Sequence, residues 1–263
     1  MKADSIPIVN RISRSRVVTA IASLALLVAH PIPSASAAEA DAAEDEPPIT
    51  ADSLLDDVLL RFPHDPLDIR GEMIVRRRRG VELARVHFSM QVDGGARPAH
   101  FRYAVFDADG EVEREISLVL QPGARPILTA ADGAAMDLNS RIESTDLTWA
   151  DLSLSFLWWR GGEIVGTDRT KGRDCYLVDV PAPTWEGGTC AYRRVRLWID
   201  QSLHMLLRAD GFGADDQPVR SLWVRSLQKT DDRWMIKDME VQSYPDVQRT
   251  LLRIQTVRSL ATL

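Results

Sequence analysis

Two cysteines, Cys175 and Cys190, have the spacing in this chain that most directly suggests chemistry. They lie 15 positions apart and flank a Pro- and Gly-rich segment. A disulfide that closes a loop of this size stabilises a protein by about 3 kcal/mol. The counter-argument is one of strand register, because a hairpin of residues 176–180 with 191–195 places Cys175 well along one strand and Cys190 near the turn. We favour a Cys175–Cys190 disulfide and keep two buried free thiols as the alternative.

The remaining polar side chains predict neither a catalytic site nor a metal site. Four histidines lack the spacing of a metal motif: His64, His87, His100 and His204. The chain also lacks G-x-S-x-G, H-E-x-x-H and P-loop sequences. Two acidic pairs fall in predicted turns, where Asp is favoured for local hydrogen bonding: Asp107/Asp109 and Asp231/Asp232. We therefore predict a protein that is not an enzyme and has no metal or cofactor. A lipid hydrolase stays as a less favoured reading.

The most apolar part of the folded chain is the segment of residues 152–159. Thr148 is a candidate N-cap with Asp151 as its capping-box partner, and Leu147 and Leu152 occupy the hydrophobic-staple positions. Eight residues then carry six large apolar side chains before two glycines, and their spacing fits either a helix or, in the second half, an extended strand. This segment is either a plug in the core or a lid over a ligand cavity.

If the segment is a lid, the cavity would also take side chains from strands. Methionine and aromatic groups adapt to a flexible ligand, although each residue alone is more often ordinary core. Burying one long acyl chain would contribute roughly 10 kcal/mol, at about 0.8 kcal/mol per methylene. The candidate cavity residues are Leu154, Phe156, Leu157, Trp158 and Trp159 in the segment, and Met90, Trp198, Trp223, Met235 and Met239 on predicted strands.

Strands dominate the elements that must position these residues. One amphipathic helix is predicted from about residue 51 to 62, capped by Thr50 or Asp52 and stopped by prolines. Period-two patterns then predict strands at 67–75, 84–92, 99–107, 112–120, 125–130, 163–168, 174–180, 191–200, 203–211, 218–229, 233–243 and 249–258. Short polar turns between them indicate an antiparallel meander, and about a dozen strands in one sheet favour a highly curved, half-barrel sheet.

The first 48 residues predict export. Residues 17–29 form an apolar run behind a basic stretch and before Ala35-Ser36-Ala37, so residues 1–37 read as a cleavable signal peptide. No Cys lies directly after the run, at residues 30–48, which argues against a lipid anchor at a new N-terminal Cys. Residues 38–48 read as a disordered acidic leader, and residues 49–263 as one domain that does not span the membrane. If the organism is Gram-negative, the mature protein is expected in the periplasm.

The net charge of the chain limits the classes of partner that it can bind. Without the signal peptide the chain carries 28 basic against 37 acidic residues, a net charge of −9, which argues against nucleic acid. The one basic run, residues 76–79, reads as a solvated hairpin turn. The alternative is a peripheral contact with anionic head groups or a partner.

Several segments of the chain resemble the outer-membrane lipoprotein-sorting proteins, the LolA/LolB-like family. The similarity spans roughly residues 50–258 as a diffuse pattern of apolar and turn positions. The segments that carry it are residues 145–159, 172–176, 192–200, 234–239 and 249–250. The resemblance implies an unclosed antiparallel β-barrel, a highly curved sheet with short α-helices covering its concave face.

The resemblance also implies a function. It points to a periplasmic carrier that shields a lipid or lipoprotein acyl chain on the way to the outer membrane. In that family an inner-membrane exporter supplies the cargo and an outer-membrane receptor accepts it. A binding or sensor domain that recognises an envelope protein or lipid with the same fold is the alternative.

Overall fold

The computed structural model describes residues 48–77, 80–185, 191–230, 233–246 and 248–260. The predicted signal peptide, nearly all of the predicted leader, Arg78 and Arg79 of the basic run, Cys190 and the pair Asp231/Asp232 lie outside these residues. What the sequence predicts for them stays a prediction, as does the division of the chain into segments. None of the helices in the described residues is long and apolar enough to cross a membrane.

The first element is helix α1, Ala51–Leu60. Its start follows from a reciprocal cap. The Thr50 side chain accepts a hydrogen bond from the Ser53 backbone N–H at 3.1 Å, and the Thr50 N–H donates to Ser53 Oγ at 3.0 Å. The helix ends two residues earlier than predicted, at Leu60, before Pro63 can clash with it. One side of α1, including Leu54, Leu55 and Val58, is buried.

Twelve strands follow in the part of the chain that the structure describes, close to the twelve predicted ranges. They are β1 (Leu67–Arg76), β2 (Glu82–Asp93), β3 (Ala99–Phe106), β4 (Val112–Leu120), β5 (Ile127–Ala130), β6 (Glu163–Thr170), β7 (Arg173–Pro181), β8 (Arg194–Asp200), β9 (Leu206–Phe212), β10 (Pro218–Thr230), β11 (Arg233–Ser243) and β12 (Arg249–Ser259). Between β5 and β6 lie α2 (Trp149–Leu152) and a 3-10 helix (Ser155–Trp158). We call residues 149–159 the lid.

All twelve strands form one antiparallel sheet that does not close. The order is β5-β4-β3-β2-β1-β12-β11-β10-β9-β8-β7-β6, so the first and last strands pair at its centre. The two free edges, β5 and β6, are joined by residues 131–162, which must therefore pass from one edge of the curved sheet to the other. That connection contains the lid. The predicted fold class, an unclosed antiparallel β-barrel with short helices on its concave face, is confirmed.

Strand alternation divides the sheet into two faces. On the inner face, which carries α1 and the lid, side chains from opposite ends of the sheet belong to one continuous core, for example Phe88, Leu118, Leu197 and Met239. The outer face holds the side chains between them, and on β7 to β9 it carries a smaller cluster of Cys175, Trp198 and Leu207. The inner face is therefore where the sheet can enclose a ligand.

Candidate functional site

An apolar cavity of about 140 Å³ lies between α1, the lid and the inner face of the sheet. Its size is close to that of an engineered cavity of about 150 Å³ that holds one benzene molecule. The walls come from α1 and the turn after it, from β1, β2 and β3 on one side, and from β9, β11 and β12 on the other. The cavity thus occupies the centre of the half-barrel, where the first and last strands pair.

The lining is almost entirely hydrocarbon and sulfur. All lining residues except Arg61, Ser153 and His204 are apolar. Four of the seven methionines of the chain contribute, and their unbranched, polarisable side chains allow the walls to adapt to a flexible ligand. The apolar lining consists of Val58, Phe62, Pro63, Leu67, Ile69, Phe88, Met90, Val92, Phe101, Leu152, Leu154, Leu157, Met205, Leu206, Trp234, Met235, Ile236, Met239, Leu252 and Ile254.

The structure brings five of the ten candidate cavity residues together. They are Leu154, Leu157, Met90, Met235 and Met239. Three more are buried in the lid but point elsewhere. Phe156 and Trp159 line a separate, more polar pocket of about 430 Å³ near β5, and the ring of Trp158 lies 5.6 Å from the guanidinium of Arg97.

Trp198 and Trp223 lie on the outer face, away from the cavity. Trp198 pairs with Arg208, and Arg208 pairs with Trp223 on the next strand. Each tryptophan directly follows an inner-face residue, Leu197 or Leu222, so its side chain points to the opposite face. The Trp198 Nε1–H donates to Asp168 Oδ2 at 2.9 Å, and the Arg208 guanidinium lies 4.3 Å from the Trp198 ring centre. Strand register therefore places both side chains on the outer surface and outside this cavity.

The lid is built from two short helical turns. Thr148 caps α2 in the predicted capping box: its hydroxyl accepts from the Asp151 N–H at 3.2 Å, and Asp151 Oδ2 accepts from the Thr148 N–H at 3.0 Å. Leu154 then adopts a left-handed conformation with φ of 51°, which is costly for a branched residue. This break turns the chain into the 3-10 helix, so the segment is neither one continuous helix nor a strand.

A buried ion pair ties the lid to the wall of the half-barrel. Arg220 on β10 donates to Asp151 Oδ2 at 2.6 Å, and the Tyr192 hydroxyl donates to Asp151 Oδ1 at 2.7 Å. Burial and the negative charge of Asp151 raise the pKa of Tyr192 well above its usual value. Burial acts to lower the pKa of Arg220, but Asp151 and Tyr192 more than offset it and the pKa is raised, so the Arg220 guanidinium stays charged.

Polar contacts also fix α1 against the end of the lid. The Asp52 carboxylate accepts from the Gly161 N–H at 3.1 Å, and Asp56 forms an ion pair with Arg160. On the side of α1 nearer β9, Asp57 Oδ2 lies 3.1 Å from His204 Nδ1, an ion pair when the imidazole is protonated. α1 and the lid are therefore held to one another as well as to the sheet.

A second space, which we call the vestibule, adjoins the cavity. It has a volume of about 340 Å³ and is lined by Leu60, Arg61, His64, Ser202, Leu203, Met205, Arg233 and Trp234. Arg61, Met205 and Trp234 also line the cavity, so the two spaces adjoin at these side chains. Leu60 and Trp234 are 54% and 45% exposed, which places the vestibule at the protein surface.

Cys175 is a buried thiol on β7. It lies opposite Asp200 in the sheet, whereas the β7–β8 hairpin closes beyond Val180 and Val195, five positions further along. Burial raises the pKa of Cys175 to about 11. Because Cys190 lies outside the described residues, the disulfide stays a prediction.

The other chemistry-bearing residues fall in separate places. Asp107 stabilises the turn between β3 and β4, because its Oδ1 accepts hydrogen bonds from the N–H groups of Asp109 and Glu111 at 2.9 Å each. His64 lies in the vestibule and His204 in the cavity wall. Among the described residues there is no group of three or more His, Cys, Asp or Glu side chains placed to hold a metal ion.

Two features of the site were missed at the level of sequence. The contribution of α1 through Val58 and Phe62 had a signal, because both lie on the predicted apolar stripe of that helix. The ion pair between Asp151 and Arg220 had no signal in the sequence, because the two residues lie 69 positions apart. Sequence assigns Asp151 only its local role in the capping box.

Comparisons with known proteins agree with this fold. No curated protein matches the chain. A family model described as an uncharacterized protein matches residues 132–262. A DUF1329 family protein from Desulfovibrio piger superposes with a TM-score of 0.66 at 17% identity, over 81% of this chain and 92% of that one.

Two further solved structures carry the expected family description. A putative outer membrane lipoprotein-sorting protein domain from Vibrio parahaemolyticus gives a TM-score of 0.68 at 12% identity, over 81% of this chain and 93% of its own. A LolA superfamily protein from Nitrosomonas europaea gives 0.62 at 13% identity, over 81% and 94%. The resemblance to the lipoprotein-sorting proteins is thus confirmed at the level of the fold.

Proposed function

We propose that this protein is a non-catalytic carrier that holds an acyl chain of a lipid or lipoprotein in its inner-face cavity. The observation that carries the proposal is the cavity itself, with an almost wholly apolar wall between a sheet and a lid. Apolar cavities of this kind stay dry and take up hydrocarbon groups. The likeness of the fold to lipoprotein-sorting proteins supports the same class of ligand.

The volume of the cavity sets how much of a chain it holds. A benzene-sized space takes roughly six carbon atoms, worth about 5 kcal/mol at about 0.8 kcal/mol per methylene. A longer chain would extend into the vestibule or require α1 and the lid to separate from the sheet. Since such a movement exposes apolar lining, its cost offsets part of the binding free energy and makes release feasible.

Carriage without catalysis fits the chemistry of the lining. The polar groups in the cavity wall are Arg61, Ser153 and His204. They include no nucleophile held by a base in the described hydrogen bonds, whereas covalent catalysis requires such a pair. The predicted signal peptide supports a periplasmic location, in which an acylated protein needs shielding from water between two membranes.

Native mass spectrometry of the protein purified from the bacterial periplasm tests the proposal. The wild-type protein should carry acylated molecules. Met90→Trp, which fills a half-buried position in the cavity wall, should carry much less. Leu177→Trp is the matched control, because Leu177 is also half-buried on a strand but packs against the outer cluster.

Three outcomes distinguish the alternatives. Loss of bound acyl groups in Met90→Trp but not in Leu177→Trp supports the carrier. Wild-type protein free of acyl groups, together with no gain in thermal stability from an added lipoprotein, contradicts it. Stable capture of an envelope protein by both variants would favour the binding or sensor alternative.

A further inference from the structure

The vestibule beside the cavity is lined by basic side chains, although the chain as a whole is acidic. Arg61, at the end of α1, and Arg233, at the start of β11, line the vestibule together with His64. Within the described part of the chain, neither guanidinium has an ion-pair partner. The Asp57 carboxylate on the same helix lies beside His204 instead. Two guanidinium groups without an ion-pair partner among the described residues therefore lie beside the apolar cavity.

We infer that the ligand is an anionic amphiphile, whose acyl chain enters the cavity while its negatively charged head group lies in the vestibule against Arg61 and Arg233. This inference deepens the proposed function and rests on it. Guanidinium groups bind carboxylate and phosphate through paired hydrogen bonds, which makes arginine well suited to either head group. The shared chemistry is a single negative charge at the end of a hydrocarbon chain.

The shape of the two spaces supports this assignment. Arg61, Met205 and Trp234 belong to both walls, so the two spaces adjoin at these side chains, and none of the three belongs to the lid. Trp234 is half exposed at the junction, a position that suits an amphipathic ring between hydrocarbon and a wet head group. The walls thus change from apolar in the cavity to basic in the adjoining vestibule, which complements a ligand with a hydrocarbon chain and a negatively charged head group.

Calorimetric titration with three ligands that share one saturated acyl chain tests the inference. The ligands are lysophosphatidylglycerol, which is anionic, lysophosphatidylcholine, which is zwitterionic, and the monoacylglycerol, which is neutral, all below their micelle concentrations. The anionic ligand should bind about tenfold more tightly than the neutral one, and added salt should reduce this preference. Arg61→Gln with Arg233→Gln should bring the ratio of the anionic to the neutral affinity to about one.

Arg102→Gln is the matched control, because Arg102 is an exposed arginine on β3 at a distance from the vestibule in the sheet. Equal affinities of wild-type protein for the anionic and neutral ligands would overturn the inference and leave the proposed function standing. Equally tight binding of glycerol 3-phosphate, which has no chain, would show a free anion site and overturn it too. Binding of none of the three acyl ligands would refute the proposed function itself.

Discussion

Removal of the Arg220 guanidinium should loosen the lid more than any surface substitution. In the folded protein this side chain is 11% exposed and that of Asp151 is 3% exposed, with 2.6 Å between Nη1 and Oδ2. Arg220→Gln leaves the Asp151 carboxylate buried without a counter-charge. Breaking a buried pair in this way costs about 3–5 kcal/mol. Asp151 keeps its hydrogen bonds from Thr148 and Tyr192, which places the expected loss near the lower end, about 3 kcal/mol.

Urea unfolding followed by circular dichroism measures this loss as a shift of the midpoint at constant slope. A double-mutant cycle with Asp151→Asn isolates the pair. Once the carboxylate is replaced by a neutral amide, Arg220→Gln strands no charge, so the double variant should lose less stability than the two single variants together. We expect a coupling within the range of about 0.5–3 kcal/mol found for contacting residues.

Arg102→Gln provides the baseline for a solvent-exposed arginine, with an expected change within about 0.5 kcal/mol. If Arg220→Gln costs no more than Arg102→Gln, the guanidinium does not hold the lid. Strict additivity in the cycle would lead to the same conclusion, because it would show that Arg220 and Asp151 do not interact.

Three further predictions concern the sheet that carries the site. Burial acts to raise the pKa of Asp200, but hydrogen bonds from Arg173 and two backbone amides outweigh it and lower the pKa. Its stabilisation is therefore present above the unfolded value of about 3.9 and lost as the pH falls through the folded pKa, so Asp200→Asn should flatten the acid decline of the urea midpoint. Since burial raises the pKa of Cys175 to about 11, alkylation of the reduced protein at pH 8, mapped by mass spectrometry, should label it far more slowly in native than in urea-unfolded protein; equal rates would contradict its burial. Gly211→Ala should destabilise by about 1–3 kcal/mol in urea, because the added methyl overlaps the Tyr192 ring, and an unchanged midpoint would show that the ring does not pack there.

The strands could be predicted from sequence because antiparallel strands with one covered face alternate in polarity. On β2, the residues Val86, Phe88 and Met90 alternate with polar neighbours, and this pattern fixes both the strand and its inner face. Thr148 and Asp151 likewise carry a local signal that identifies the start of α2. Such short-range signals predicted the elements and the position of the lid.

For strands that are apolar on both faces, the sequence pattern does not show which side chains point inward. On β8, the run Leu197-Trp198-Ile199 is buried throughout, so residue type does not tell which side chain points inward. Trp198 was proposed for the cavity as an aromatic side chain that can adapt to a flexible ligand, whereas strand register places it on the outer face. The left-handed Leu154 and the pairing of Asp151 with Arg220 depend on tertiary contacts and have no counterpart in the local pattern.

Photo-crosslinking with a saturated fatty acid that carries a diazirine in its chain shows directly whether an acyl chain binds inside the half-barrel. After irradiation and digestion, we expect adducts on peptides from the cavity wall, at Met90, Leu157 and Met239, and their loss when an excess of unlabelled fatty acid is present. Adducts confined to outer-face peptides such as that of Trp223, or labelling that unlabelled fatty acid does not reduce, would contradict an acyl-chain site inside the half-barrel.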